Sequence, residues 1–254
     1  MKRSILRNEQ GRRLLAAAFW LIVWQVAAAV VGQRLLLASP VGTLLRLIQL
    51  IQTAAFWQSI LFSMGHILLG FALAVALSVA AAGLSARFQP VRTLLVPPLA
   101  VIRSVPVASF VIVALIWIPS RRLSVLISFL IALPVLYESV LAAIERTDPQ
   151  LIEMADVFRM SPGNRLLHLY LPTVLPHFRA SAVTAMGLAW KSGVAAEVIG
   201  IPGGSIGEKL YKAKVYLATP DLFAWTLTIV LLSLLCTRAL CLVLDLFLRR
   251  LERM

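Results

Sequence analysis

Long apolar stretches alternate with short polar connections along this chain. A helix needs roughly 20 apolar residues to cross a hydrocarbon layer about 30 Å thick. Windows of that length and nearly without charge run from about Leu14 to Val31, Ile60 to Ala86, Thr93 to Ile118, Leu123 to Ile144, His177 to Ile201 and Leu222 to Leu248. The pattern predicts an all-α integral membrane protein with six transmembrane helices and both termini on one side.

The third window is interrupted by Arg103 and by three prolines, Pro97, Pro98 and Pro106. Each proline removes a backbone donor and clashes with the preceding turn. At membrane depth a broken helix is tolerated only where protein or a water-filled cavity meets the freed carbonyls. The window therefore predicts a broken span that lines a pathway, with a kink absorbed by neighbouring helices as the alternative.

Composition supports a membrane protein and also orients it. Hydrophobic residues make up 60% of the chain, and 24 Lys and Arg with 11 Asp and Glu are too few to solvate a globular surface of this size. Six spans leave 13 of the 24 cations on the side of the termini and 7 on the opposite side. Because short cytoplasmic connections are rich in Lys and Arg, both termini and the connection near Glu153 are predicted to be cytoplasmic.

Two features of the charge distribution allow other interpretations. A net charge of +13 is compatible with nucleic-acid binding, but the cations flank the apolar windows instead of forming one basic face with aromatics. Contact with lipid headgroups is favoured, and no nucleic-acid partner is expected. The basic start of the chain and Ala27-Ala28-Ala29 also fit a cleavable signal peptide, although the apolar run is longer than usual. We assign residues 1–13 to a cytoplasmic segment and residues 14–254 to one membrane domain.

The connection between the fourth and fifth windows predicts an amphipathic helix. Asp148 can cap free N–H groups and Pro149 suits a first helical turn. The apolar residues that follow recur at helical spacing: Leu151, Ile152, Ala155 and Phe158. Such a stripe can insert into the groove of a partner, and the alternative is a helix that lies on the headgroups.

Glu153-Met154-Ala155, followed at fixed distance by Leu171-Pro172, resembles the EAA loop of permease subunits in binding-protein-dependent ABC importers. In that family the loop receives the cytoplasmic ATPase, so the resemblance implies a coupling loop at about residues 145–172. It implies these ATPase-coupling residues: Glu153, Ala155, Phe158, Arg159, Gly163, Leu171 and Pro172.

Two positions depart from the family pattern. Met154 replaces the first alanine, and Arg159 stands where the family usually has glycine. We therefore expect the turn between the two helical pieces of the loop to move to Pro162-Gly163, with the helix that follows ending before Leu171-Pro172.

The resemblance covers nearly the whole chain. Ser63–Phe71 and Arg103-Ser104-Val105-Pro106 are similar to family elements, and Ala189–Glu197 followed by Gly203–Gly207 resembles the nitrate, sulfonate and taurine branch. It implies a non-catalytic subunit of a prokaryotic inner membrane, without a bound cofactor, acting as a homodimer or with a paralogous permease. The implied partners are two ATPase subunits that carry ATP and Mg²⁺, and an extracytoplasmic binding protein.

Charged residues inside the windows are candidates for the transport pathway, because a charge in hydrocarbon usually faces a cavity or a partner. By helical rise, Arg103 and Lys191 lie roughly 15 to 21 Å from the cytoplasmic end, near the midplane. We predict that Arg103, Ser104, Lys191 and Glu197 line the pathway and that the two cations attract an anion. The alternative is a structural pair of Arg103 or Lys191 with Glu197. Glu138, Arg238 and Asp245 are given no role.

Catalytic and metal-binding patterns are missing from the sequence. His66, His168 and His177 lack partners at metal-ligand spacing, as do Cys236 and Cys241. No serine nucleophile motif is present, so an enzyme is not expected. The alternative function is an ion-coupled secondary transporter with Glu197 as its central acid, which would call for a repeat between halves that the chain does not show.

Overall fold

Helices account for all the regular structure in the part of the chain that the structure describes. The computed structural model describes residues 9–33 and 36–251. Residues 1–8 of the predicted N-terminal segment lie outside them. The helices are α1 Glu9–Val31, α2 Pro40–Ile51, α3 Ala54–Arg87, α4 Gln89–Ser104, α5 Val107–Ala114, α6 Ser120–Glu145, α7 Pro149–Val157, α8 Pro162–Arg165, α9 Leu171–Gly200, α10 Ile206–Val215 and α11 Thr219–Leu251.

Three of the described helices are long and apolar enough to cross a membrane: Ala54–Arg87, Ser120–Glu145 and Thr219–Arg249. The pair α4 and α5 passes the same test only as a broken span. The first predicted span corresponds to the shorter apolar stretch Leu15–Val31. The fifth corresponds to α9, which is less apolar because it contains Lys191, Glu197 and several small residues.

The chain folds into two compact units. Of the described residues, one unit contains those up to Gln58 together with Lys209–Thr228, and the other contains Ser59–Glu208 and the residues from Ile229 to Leu251. In the first unit α1 contacts α2, and the indole of Trp24 donates to the carbonyl of Ala38 at 3.1 Å. Arg46 of α2 forms a bidentate ion pair with Asp221 at the start of α11.

The second unit is built around the contact of α6 with α9. The hydroxyl of Ser128 on α6 donates to the carbonyl of Ala189 on α9 at 3.1 Å. Gly193 is the reason that the helices approach so closely, because a Cβ there would lie 2.5 Å from the Ser128 hydroxyl and 2.7 Å from Ile67. Small residues of this kind let helices pack in a membrane, where lipid tails are as apolar as the side chains.

The third predicted span is broken at the expected proline. α4 ends at Ser104, Pro106 follows, and α5 leaves at an angle of 105°. α5 then contacts α9 and α6, and its Val111 and Ala114 are buried with Leu123, Ile127 and Ala196. The chain thus turns back into protein at the break. This agrees with the prediction of a broken span and excludes a single straight helix between Thr93 and Ile118.

Gly70 provides a test of the close contact between α3 and α6. A Cβ at Gly70 would overlap the carbonyl oxygen of Val125 and lie 3.1 Å from the amide nitrogen of Phe129, both backbone atoms of α6. Because backbone cannot give way as a side chain can, we expect Gly70→Ala to destabilise the protein by about 1 to 3 kcal/mol. Thermal unfolding of the purified protein in detergent measures the change.

Gly65 is the matched control for that substitution, since it lies in the same helix and has no heavy atom within 4 Å of the added Cβ. Gly65→Ala should leave the midpoint unchanged or raise it, because alanine has the higher helix propensity. Equal effects of the two substitutions would contradict a close backbone contact at Gly70.

Candidate functional site

The loop predicted to couple to an ATPase begins where the sequence predicts. The carboxylate of Asp148 accepts the N–H of Gln150 at 2.9 Å, and Pro149 opens α7. Capping of this kind satisfies one of the N–H groups that a first turn leaves free. The predicted start of the amphipathic helix is therefore confirmed.

α7 ends at Val157, and the turn that follows is at Arg159. The expected move of this turn to Pro162-Gly163 is therefore wrong. Arg159 has φ +48°. Its N–H donates to the backbone carbonyl of Asp156 at 3.0 Å, and the N–H of Met160 donates to the backbone carbonyl of Ala155 at 2.9 Å. These two bonds form a Schellman motif, which usually places glycine at the left-handed position. Gly163 lies instead inside α8, with no heavy atom within 4 Å of an added Cβ.

Arg165 holds the end of α7, a role that sequence reasoning missed. Its guanidinium donates to the carbonyl of Met160 at 3.1 Å and to that of Ala155 at 3.2 Å, and pairs with the Asp156 carboxylate at 2.6 Å. We name this set the Arg165 clamp. The sequence could have indicated this contact, because Arg165 follows Asp156 by nine residues and a Ser-Pro-Gly turn between them can bring the two side chains together.

The apolar stripe of α7 divides into a buried part and an exposed part. Ala155 is fully buried, so it contacts its own chain and is not part of an exposed surface. Val157 and Phe158 are 79% and 75% exposed, and Leu151 and Met154 are partly exposed. We call these last four residues the α7 apolar face. Glu153, the acidic residue among the predicted coupling residues, is also exposed.

The segment after α8 runs into α9 without ending before Leu171-Pro172. A π-helical turn, Leu166–Tyr170, joins the two. Pro172 has no N–H for the carbonyl four residues earlier, and a π turn is one way to absorb such a missing bond. The Leu171 N–H donates to Leu166, and the Thr173 hydroxyl donates to Leu169 at 3.0 Å. The predicted end of the second helix is thus corrected to a continuous connection.

Arg103 is paired, but not with the residue that the sequence suggested. Its guanidinium lies 2.5 Å from the Glu138 carboxylate on α6, and both side chains are about half exposed. Glu138, which the sequence gave no role, is about 10 Å from Glu145 at the end of α6. Arg92, also on α4, pairs with Glu145. The two ion pairs thus join α4 and α6 at two positions along their lengths.

The remaining pathway candidates are separate from one another. Ser104 is exposed, and its hydroxyl donates to Val101 in its own helix at 3.0 Å. Lys191 is exposed on α9. Among the described residues no ion pair joins Arg103, Lys191 or Glu197 to one another.

Glu197 is fully buried and acts as a cap for α10. Its carboxylate accepts the Ser63 hydroxyl at 2.6 Å and the N–H of Gly207 at 3.3 Å. The Ser63 oxygen in turn accepts the N–H of Ile206 at 2.9 Å. A carboxylate at a helix N-terminus is stabilised by the helix dipole and by the free N–H groups. This contact, which we call the Glu197 cap, joins α3, α9 and α10.

Asp245, which the sequence gave no role, also has a partner in the structure. Asp245 of α11 forms a bidentate pair with Arg179 of α9, at 2.5 and 3.0 Å.

Comparison with known proteins assigns the family. Residues 74–254 match the model of the binding-protein-dependent transport system inner membrane component, which is more than half of the chain. The chain belongs to this family. The predicted resemblance is confirmed, and the loop from α7 to α9 lies within the matched residues.

Relatives of this permease agree with the branch that the sequence indicated. A protein of Brucella melitensis named a probable ABC transporter permease is 27% identical over 91% of this chain and 93% of its own length. The nitrate import permease protein of Synechococcus elongatus is 24% identical over 73% and 70%. The taurine transport system permease protein of Escherichia coli is 27% identical over 91% and 82%.

The left-handed Arg159 yields a prediction about the stability of the loop. A residue with a Cβ in this conformation costs roughly 1 to 2 kcal/mol, and glycine avoids that cost. Arg159→Gly should therefore slow exchange of the Met160 amide, whose bond to Ala155 closes the motif. Hydrogen exchange followed by mass spectrometry in detergent measures this.

Arg159→Ala is the control, because it removes the same charge but keeps the Cβ. Its exchange should resemble that of the unsubstituted protein. If alanine and glycine slow exchange equally, charge and not backbone strain governs the turn.

The Glu197 cap yields a second prediction. Ser63→Ala removes the hydroxyl that bonds Glu197 and Ile206, so two buried polar groups lose a partner, and we expect a loss of about 1 to 3 kcal/mol. Ser104→Ala, which removes an exposed hydroxyl bonded within its own helix, should change stability little. Unfolding midpoints of the two variants in the same detergent make the comparison, and an unaffected Ser63→Ala would contradict the cap.

Proposed function

We propose that this chain is the membrane-spanning permease subunit of an ATP-driven importer. It crosses a prokaryotic inner membrane six times, with residues 1–13, the C-terminus and the α7 loop in the cytoplasm and the membrane domain over residues 14–254. Family membership and three long apolar helices support a membrane permease. The positive-inside bias supports the orientation.

The α7 apolar face is the observation that carries the proposal. Four large apolar side chains lie together on a short helix in a polar loop, with Val157 and Phe158 three quarters exposed or more. Exposed apolar groups of this kind mark interaction surfaces, and an amphipathic helix commonly binds in a partner's groove. We assign the partner as an ATPase subunit, one on each permease of a homodimer or of a pair with a paralogue.

The coupling residues divide by what they contact. Phe158 and Glu153 are exposed and are proposed to contact the ATPase. Ala155 and Arg159 build the turn that presents them, Gly163 lies in α8, and Leu171-Pro172 opens α9. The set thus combines contact residues with residues that shape the loop.

Motion of α7 can reach the membrane helices without a flexible joint. The Arg165 clamp fixes α7 to α8, the π-helical turn continues into α9, and α9 packs along α6. Closure of the ATPases on ATP would displace α7, and through it α9, which changes access to the pathway between two states. ATP and Mg²⁺ are held by the ATPase, and this chain performs no chemistry and holds no cofactor.

The transported solute is proposed to be a small anion delivered by an extracytoplasmic binding protein. Lys191 is an exposed cation on α9, whereas the charge of Arg103 is offset by Glu138. The anion-binding role therefore passes mainly to Lys191, and Ser104 keeps an exposed hydroxyl that can hydrogen-bond an oxyanion. Relatives named for nitrate import and taurine transport are consistent with a small oxyanion.

The burial of Glu197 favours this importer over an ion-coupled transporter. A coupling carboxylate must exchange its ion or proton with a water-filled pathway. Glu197 is enclosed and bonded to Ser63 and Gly207, so we assign it a structural role and withdraw it from the proposed pathway.

Phe158→Ala tests the proposed docking. Large aromatic side chains at the centre of an interface contribute about 2 kcal/mol or more when truncated, or roughly thirtyfold in affinity. We expect that loss in binding of an ABC ATPase subunit that co-purifies with the unsubstituted protein, measured on protein reconstituted in nanodiscs, together with a loss of permease-stimulated ATP hydrolysis.

Ile116→Ala is the matched control, because Ile116 is 72% exposed but lies just before the start of α6, at the end of that helix opposite to α7. It should leave both binding and stimulated hydrolysis unchanged. Full ATPase binding by Phe158→Ala, or equal losses in both variants, would remove the α7 apolar face as the docking surface.

A further inference from the structure

A long apolar groove runs between α3 and α6 in the second unit. Its volume is about 930 Å³. On α3 it extends from His66 to Ala80, which is about 21 Å along the helix axis. Leu69, Leu73 and Leu77 lie along its length at one-turn intervals and are about half exposed.

Only one end of the groove is polar. His66 and Arg122 line that end, and Trp117, which is 75% exposed, lies beside them. Arg121 is adjacent in the chain, and its guanidinium stands 5.6 Å from the centre of the Phe62 ring, which stacks on His66 at 4.2 Å. The cations are thus gathered at the mouth of an otherwise apolar groove.

In the described part of the chain Arg121 and Arg122 have no carboxylate partner, in contrast to three arginines elsewhere in the second unit. Arg92, Arg103 and Arg179 each pair with a carboxylate. Within the described residues no ion pair is formed by Arg121 or Arg122, and both are exposed. The first turn of α6, which contains them, also lacks a side-chain cap, so its N–H groups add to the positive potential.

We propose that this groove binds one anionic phospholipid, with its phosphate at Arg121 and Arg122 and an acyl chain along Leu69, Leu73 and Leu77. The groove is longer than one leaflet of a hydrocarbon layer about 30 Å thick, so it can take an acyl chain over its full depth in one leaflet. Basic side chains at the edge of a membrane attract anionic headgroups, and tryptophan favours the same depth.

The position of the two arginines supports the same ligand. They start α6, whereas the α7 loop follows its other end, so the groove mouth faces the membrane surface opposite to α7. Under the proposed orientation that surface is the outer one, where short connections usually carry few cations. Arg121 and Arg122 are two of the seven cations predicted on that side, and a bound lipid phosphate would neutralise their charge, which no carboxylate of the described residues offsets.

The experiment uses the full chain in phosphatidylcholine vesicles that contain either phosphatidylglycerol or phosphatidylcholine brominated on its acyl chains. Bromine quenches nearby tryptophans, and the signal of Trp117 is the difference between the unsubstituted protein and Trp117→Phe. We expect Trp117 to be quenched at a lower mole fraction of brominated phosphatidylglycerol than of brominated phosphatidylcholine. Arg122→Gln should reduce this preference about fivefold, the effect expected for one arginine at a membrane surface.

Lys214→Gln is the charge-matched control, because Lys214 is an exposed cation on α10 outside the groove, and it should keep the preference. Leu73→Phe, which fills the groove, should weaken quenching by both lipids, whereas Leu84→Phe on the same helix should not. Both leucines are about half exposed, so neither substitution disturbs a packed core.

Three results would overturn the proposal. Equal quenching by the two lipids would mean that no headgroup is selected. Absence of quenching by either lipid, with Trp117 still fluorescent, would mean that protein, such as a second copy of this chain, covers the groove. A preference that Arg122→Gln and Lys214→Gln reduce equally would reflect net charge alone. None of these readouts depends on transport or on an ATPase, so the proposal stands or fails separately from the proposed function.

Discussion

Close approach of α3, α6 and α9 is the contact on which the rest of the second unit depends. Apolar side chains gain little by leaving lipid for a helix interface, so such helices rely on close packing and on polar contacts between them. Gly70 places α3 against the backbone of α6, and Gly193 places α9 against Ser128. With larger residues at these two positions the hydrogen bond from Ser128 to Ala189 could not form at 3.1 Å. The loop after α6 and the cap at the end of α9 both take their positions from this packing.

Several charges in the membrane domain have a specific partner on another helix. Arg103 pairs with Glu138 and Arg179 with Asp245, each across two helices. Pairing reduces the free energy required to keep a charge in a poorly solvated place. The same contacts orient helices, since two ion pairs fix α4 on α6 at separate heights. Charges that look alike in the sequence thus divide into structural pairs and exposed cations such as Lys191.

Much of the fold follows from the sequence because hydrophobic length and proline position act locally. The apolar windows correspond to α3, α6 and α11, the break falls at Pro106, and α7 starts after Asp148. Partners distant in sequence could not be predicted in this way. Arg103 meets Glu138 across 35 residues, and Glu197 meets Ser63 across 134. No pattern within one helix distinguishes these from other pairings.

The turn at Arg159 shows why a local rule fails there. Arginine disfavours the left-handed conformation by roughly 1 to 2 kcal/mol, which is the reason for expecting the turn to move to Pro162-Gly163. The two hydrogen bonds of the Schellman motif and three contacts of Arg165 offset this conformational cost at Arg159. Two of the Arg165 contacts are hydrogen bonds to carbonyls at partly buried positions, and hydrogen bonds to charged groups contribute about 1.5 to 3 kcal/mol, which is of the same order as the strain. The turn stays in place because a residue six positions later holds it, and a single-residue preference contains no information about that contact.

The two ends of α9 make it the element through which motion would spread. At its start, the π-helical turn and the Arg165 clamp join it to α7. At its far end, Glu197 binds both Ser63 of α3 and the first turn of α10. A helix held rigidly at both ends cannot absorb a displacement by bending at a loop, so a push on Phe158 must either be resisted by the α6 contact or shift α9 as a whole. The buried faces of both helices carry large side chains, among them Leu136 and Tyr137 of α6 and Trp190 of α9, and the hydrogen bond from Ser128 to Ala189 joins them. Because this packing opposes sliding, a push on Phe158 would move α9 together with α6.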